Sequence, residues 1–153
     1  MQRFAIAVAT VLVSAPPLHA QGDRAQVLAA VTGFLEGMKA RDTVRIASVI
    51  DSVTRFTLIR PGPSGNRIIV LKGSDFLKIA TRTDQPPLDE PIRNAKVEID
   101  GDLASVWAEY QVRRDGKVTH CGYDSFQLAR LAGTWKIINV SDSFRQQGCG
   151  EAW

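Results

Sequence analysis

The chain opens on an apolar run. Residues 4–13 hold Phe, Ala, Ile, Val and Leu with a single Thr among them, behind one positive charge at Arg3. Two prolines and small residues follow, ending at Ala20. Basic start, apolar middle and small residue at the end are the order of a secretory signal peptide. The run is shorter than the roughly 20 residues that a membrane span needs, and no cysteine follows it to take a lipid. Residues 1–20 are read as the signal peptide and 21–153 as one domain, with a retained signal anchor as the alternative.

Beyond Gln21 the spacing becomes helical. Val27, Val31, Phe34, Leu35 and Met38 share one face of a helix over 23–38, in which Gly33 and Gly37 weaken the later turns or permit close packing. Asp42 is placed to cap a second, short helix to residue 50, with Ile46, Val49 and Ile50 on the same core. Residues 53–59 alternate as a strand, 60–66 (Arg-Pro-Gly-Pro-Ser-Gly-Asn) form a turn, and 67–71 return. Ser74 is the expected cap of a third helix over 75–80. The proline-bearing stretch 81–91 is a loop. Strands at 92–99, 103–113, 117–130 and 134–142 follow, punctuated by Asp100-Gly101, Asp115-Gly116 and Ala132-Gly133. The order predicts an α+β domain, a curved antiparallel sheet with three helices from the N-terminal half packed on one face.

The turns also predict register. A two-residue Asp115-Gly116 turn sets Gln111 opposite His120 and Trp107 opposite Asp124. The Ala132-Gly133 turn sets Leu128 opposite Ile137 and Asp124 opposite Ser141. Facing residues share a side, so Trp107, His120, Asp124, Phe126, Leu128, Trp135 and Ile137 line one face, apolar at one end and polar at the other. Such a face suits a conical pocket. The opposite face would carry Val97, Ile99, Val106, Ala108, Tyr110, Cys121, Tyr123, Ile138 and Val140, too apolar for water. A second subunit or the tail 144–153 must cover it. A bulge in the central hairpin would exchange the two sets.

Charge narrows the partners. Setting residues 1–20 aside leaves 18 basic and 16 acidic side chains, which points to neither nucleic acid nor a strongly anionic surface. His120 is then the only imidazole, so no site needing two histidines from one chain can form, the common zinc and iron triads included. No phosphate loop, nucleophile elbow or zinc motif occurs, and no cofactor is expected. In an exported chain of this size, Cys121 and Cys149 read as one disulfide; a reactive thiol or metal ligand is the alternative.

The runs Val106-Trp107-Ala108-Glu109-Tyr110, Asp115-Gly116-Lys117, His120-Cys121-Gly122, Asp124-Ser125-Phe126, Gly133-Thr134-Trp135-Lys136-Ile137 and Gly148-Cys149 resemble exported bacterial members of the nuclear-transport-factor-2-like superfamily, which includes the SnoaL-like and lumazine-binding-like groups. The resemblance is specific in the last third of the chain. It implies a cone-shaped α+β barrel with a central pocket and frequent dimerisation through the sheet. It implies no single activity, because the fold serves isomerases, dehydratases, cyclases, hydrolases and members without a known reaction.

Asp124 is the residue best suited to a general base, since desolvation in a pocket raises a carboxyl pKa. Its structural alternative is to accept hydrogen bonds from Ser141 or the backbone. His120 is a second weak catalytic candidate, as a proton shuttle, or else a half-exposed strand residue. Four positions apart on a strand, the two lie about 13 Å from one another and can only act at two ends of a bound molecule. Tyr110 is expected on the opposite face, packed over the disulfide. A metal site of His120, Cys121 and Asp124 would need neighbouring strand residues to point the same way, which they do not. The expected function is an exported domain that binds a small apolar molecule or a partner without established catalysis. An isomerase, dehydratase or hydrolase using Asp124 is the runner-up. A homodimeric module with a filled pocket is the third reading.

Overall fold

The computed structural model describes residues 18–153. Most of the expected signal peptide, up to position 17, lies outside the described residues. Helix α1 (Leu18–Ala40) begins before the expected helix start at residue 23 and extends two residues past its expected end, and its apolar stripe of Val27, Val31, Phe34, Leu35 and Met38 is buried. Helix α2 (Thr43–Val49) starts where Asp42 caps it, the carboxylate accepting from the Arg45 N–H at 2.9 Å. The two helices approach closely because Gly37 has no side chain: a Cβ there would sit 2.7 Å from the Ile46 Cγ1.

Strands β1 (Ile50–Gly62) and β2 (Gly65–Lys72) are longer than the alternation alone marks, so that the turn shrinks to residues 63–64. Helix α3 (Gly73–Ala80) begins one residue before Ser74, which is therefore inside the helix and not its cap. Strands β3 (Ile92–Asp100), β4 (Leu103–Arg114), β5 (Lys117–Leu131) and β6 (Thr134–Asp142) complete one six-stranded sheet in the order β2-β1-β6-β5-β4-β3. The sheet is mixed, because β1 lies parallel to β6 while every other pair is antiparallel. The helices cover its concave face, and Phe34, Ile46, Phe56, Phe126, Leu128 and Ile137 meet there in one core.

Two bulges correct the expected register. Asp115 and Gly116 take positive φ (49° and 74°) in a tight turn, and the strands pair as expected as far as Arg113 opposite Val118. Thr119 is then extra. Its hydroxyl donates to the Val112 carbonyl at 3.1 Å, and His120 pairs with Val112 instead of Gln111. Ile138 is extra in the same way, so Asp124 faces Asp142 and not Ser141. A one-residue slip exchanges faces. Val106, Ala108, Tyr110 and Val140, expected outside, are buried, and Val97 and Ile99 pack against the core. Trp107, expected inside, stands on the outer face, 48% exposed and stacked on Tyr123 at 5.2 Å.

The tail closes the remaining outer patch. Cys121 and Cys149 form the disulfide. Beside it the Gln111 amide donates to the Cys149 and Glu151 carbonyls at 2.8 and 3.0 Å, and the Arg113 guanidinium donates to the Trp153 carbonyl at 2.8 Å. Before the tail turns outward, the Tyr110 hydroxyl donates to the Ser143 carbonyl at 2.7 Å. That carbonyl occupies the space a Cβ on Gly122 would need. Gly122→Ala must push β5 and the 143–145 segment apart. It is expected to cost about 1–3 kcal/mol, the usual range for overpacking, read as a lowered midpoint in urea with unchanged slope.

Candidate functional site

Between α3, the β1–β2 hairpin and the polar end of β5 lies a cavity of about 200 Å³. Its wall is aromatic: Phe56 and Phe76 stack at 3.8 Å, Phe34 stacks on Phe76 at 5.7 Å, and Phe144 closes the side near His120 at 4.7 Å. Its polar end gathers side chains from four places in the chain, namely Arg60 of β1, Glu90 of the loop before β3, His120 and Asp124 of β5, and Asp142 of β6.

Of the pocket residues expected from sequence, His120 and Asp124 line this cavity. Phe126, Leu128 and Trp135 are buried in the core beyond it, so the apolar end of the cone is filled by side chains. Trp135 lies under the Arg130 guanidinium at 4.5 Å, and Arg130 in turn pairs with Asp23 and Asp102. Trp107 is remote from the cavity, for the reason of register given above. Tyr110, expected beside the disulfide, sits on the inner side of β4, its ring 6.0 Å from His120.

Arg60, Glu90 and Asp142 were not legible as site residues. The Ile138 bulge alone turns Asp142 inward, and Glu90 arrives on a loop whose path no periodicity marks. Arg60 sits in what reads as turn sequence. Yet its guanidinium grips Asp142 in a two-pronged pair at 2.5 and 2.6 Å. Such pairs are strong and directional.

Three carboxyls thus share one guanidinium, and Asp142 already holds it. Asp124 is 2% exposed and its Oδ2 has no hydrogen-bond partner. Burial first, and then the nearby Glu90 and Asp142, push its pKa well above the usual carboxylate range, against the pull of Arg60. Glu90 is pushed up to about 8, by burial and then by Asp142. Burial, and then the Arg60 and Arg114 charges, pull His120 down to about 4. At neutral pH Glu90 therefore holds its proton, Asp124 is pushed the same way, and His120 is a neutral imidazole whose Nδ1 lies 3.0 Å from the Thr119 hydroxyl. Among the described residues no group of three His, Cys, Asp or Glu is placed to hold a metal ion.

Because Asp124 and Glu90 keep protons that the unfolded chain gives up near pH 4, stability falls as pH rises from there through their folded values. Asp124→Asn keeps the neutral shape. It is expected to stabilise the protein at pH 8 by on the order of 1 kcal/mol, about 4 °C in Tm for a domain of this size. The gain disappears at pH 4.5, which melting curves at the two pH values would show.

Comparison with solved structures finds the same architecture repeatedly. An NTF2-like protein of unknown function from Shewanella baltica superposes with a TM-score of 0.65 at 14% identity, covering 85% of this chain and 98% of the other. The chain has the nuclear-transport-factor-2-like fold. A proposed dehydratase of the NTF2-like family from Streptomyces avermitilis matches at TM-score 0.64 and 19% identity, over 81% of this chain and 96% of that one. The association domain of C. elegans CaMKII matches at 0.62 and 17%, over 80% and 96%. No protein-family model and no curated protein sequence matches the chain. Within this nuclear-transport-factor-2-like fold, the aromatic wall and the acid cluster line one cavity.

Proposed function

We propose that the protein is an exported binding domain whose cavity takes up one small, largely apolar molecule with a polar group at one end. The observation that carries this is Asp124, a buried residue lining an aromatic cavity with an oxygen that nothing among the described residues satisfies. An unmet buried polar atom costs about 1–3 kcal/mol, a cost that a ligand group can relieve. An apolar cavity of about 150 Å³ takes up benzene, so about 200 Å³ suits a single substituted ring. Export is supported by the pattern of residues 1–20 and by the Cys121–Cys149 bond, of a kind that persists in oxidising compartments such as the periplasm or the medium. Residues 21–153 then form the mature domain.

The test is native mass spectrometry of protein purified from its own host. The expected result is an adduct of small mass that denaturation releases. Ligand-free protein whose melting is also indifferent to small apolar molecules would overturn the reading.

Pairing of two copies through the sheet belongs to the same proposal. The outer Trp107–Tyr123 stack is a large aromatic surface in water, and the CaMKII association domain has this fold. Trp107→Glu is expected to turn a dimer into a monomer by light scattering at micromolar concentration, leaving the melting temperature of the monomer unchanged. A wild-type chain that is monomeric at that concentration would defeat it.

A catalytic reading has one observation in its favour, a carboxylic acid and a neutral imidazole on one cavity wall. That pair can give a proton at Asp124 and take one at His120. Asp124 would then act as an acid before it acts as a base. Turnover that Asp124→Asn abolishes, with binding retained, would select this reading over simple binding.

A further inference from the structure

Building on the binding role proposed above, we propose that the molecule the cavity takes is an organic amine in its protonated form, an alkyl- or arylmethylammonium whose charged end sits among Glu90, Asp124 and Asp142. The geometry carries this. Five polar groups face the cavity: Arg60 from β1, Glu90 from the loop before β3, His120 and Asp124 from β5, and Asp142 from β6. The helices contribute apolar side chains only, Phe34 from α1 and Phe76 and Ile79 from α3. Tyr110 of β4 stands behind, its hydroxyl already donated to Ser143. Three acids therefore face one cation, Arg60, which is committed to Asp142, and a neutral imidazole. Asp124 Oδ2 is buried in this cavity without a donor. What Asp124 lacks is a cationic donor of its own.

The wall fits the same ligand. An ammonium is attracted to the face of an aromatic ring within about 6 Å, and the body of an arylmethylamine is matched by the Phe34, Phe56 and Phe76 rings. An anionic ligand meets three carboxyls. A neutral ligand leaves Asp124 and Glu90 holding their protons and draws no charge-assisted hydrogen bond from them.

Binding an ammonium would ionise acids that hold protons in the free protein. Glu90 is pushed up to about 8, and Asp124 lies well above the usual range. An alkylammonium, near the ~10.4 of lysine, keeps its own proton across this range. Uptake at pH 7 therefore releases protons, about one per ligand, and affinity rises from pH 6 to pH 8 by up to about ten-fold per unit.

The experiment is titration calorimetry of the full chain with benzylamine and, as its neutral counterpart, benzyl alcohol, each in phosphate and in MOPS, neither of which is a primary amine. Benzylamine is expected to bind roughly ten- to a hundred-fold more tightly than the alcohol, the range for hydrogen bonds to charged groups. Its apparent enthalpy should differ between the buffers by the heat of the released proton. Asp124→Asn should collapse the preference for the amine, and Glu90→Gln, on the loop that Asp89 and Pro91 tie to β4, should reduce it independently. Alcohol binding as tightly as amine, without proton release, would overturn the amine while leaving the binding cavity intact. Binding of neither probe, with no adduct in native mass spectra, would overturn both.

Discussion

Removing the Cys121–Cys149 bond is expected to lower stability by about 3–4 kcal/mol, the chain-entropy value for a loop of this length. The double variant Cys121→Ser/Cys149→Ser isolates the effect, and urea unfolding of oxidised, reduced and doubly substituted protein measures it. The loss reaches past loop closure. Cys149 holds the tail where Gln111 can donate to two of its carbonyls, and Gln111 is itself buried. With the tail released, an amide on β4 opens to water and the apolar patch around Cys121 is uncovered. Hydrogen exchange should therefore rise in 110–114 and 145–153 before it rises in α1. A reduced protein with the same midpoint and the same exchange pattern would show that the tail is held by other means.

Arg60→Met is the second large effect. Arg60 is the only cation among three acids, and its side chain and that of Asp142 are mostly covered. Breaking a buried pair from one side costs about 3–5 kcal/mol; partial exposure here brings the expectation to about 2–4 kcal/mol at pH 8. The pH dependence carries the diagnosis. Arg60 lowers the pKa of Glu90 and of Asp124 and also lowers that of His120. Without it the two carboxyls hold their protons to still higher pH. Groups whose folded pKa is raised lose stability as pH climbs from about 4.5 through the folded value. The variant should therefore part from wild type as pH climbs through about 8, where wild-type Glu90 gives up its proton and the variant's does not. On the acid side the order reverses. Wild-type His120 must stay neutral while the unfolded chain protonates below about 6.5, whereas the variant tolerates the charge better. Melting curves from pH 4.5 to pH 8.5 read both limbs. A loss independent of pH would mean that Arg60 acts through packing alone.

The disulfide is legible in the chain and the place of Arg60 is not. Alternation and turn chemistry located every strand of the last third to within a residue or two, because Asp115-Gly116 and Ala132-Gly133 take positive φ at both positions. The Asp42 cap and the α1 stripe were equally plain. Pairing across the sheet was hidden. The parallel contact of β1 with β6 joins segments far apart in the chain, and nothing local specifies it. Thr119 and Ile138 have the sequence character of ordinary strand residues, being β-branched and at home in any ladder. Their status as extra residues depends on what lies opposite. One signal was available: an outer face with Val97, Ile99, Val106, Ala108, Tyr110 and Val140 is the composition of a core. The bulge removes that contradiction.

The position of Thr119 has a consequence for how such chains diverge. The hairpin carries two complete sets of side chains, Trp107, Glu109 and Gln111 against Val106, Ala108, Tyr110 and Val112, and one added residue decides which set meets the helices. A single-codon deletion there would ask the tryptophan to enter and the tyrosine to leave, with no substitution anywhere. Length at this one position therefore outweighs many changes of residue type. Two relatives aligned through this hairpin without a gap can have every inward residue of one matched to an outward residue of the other.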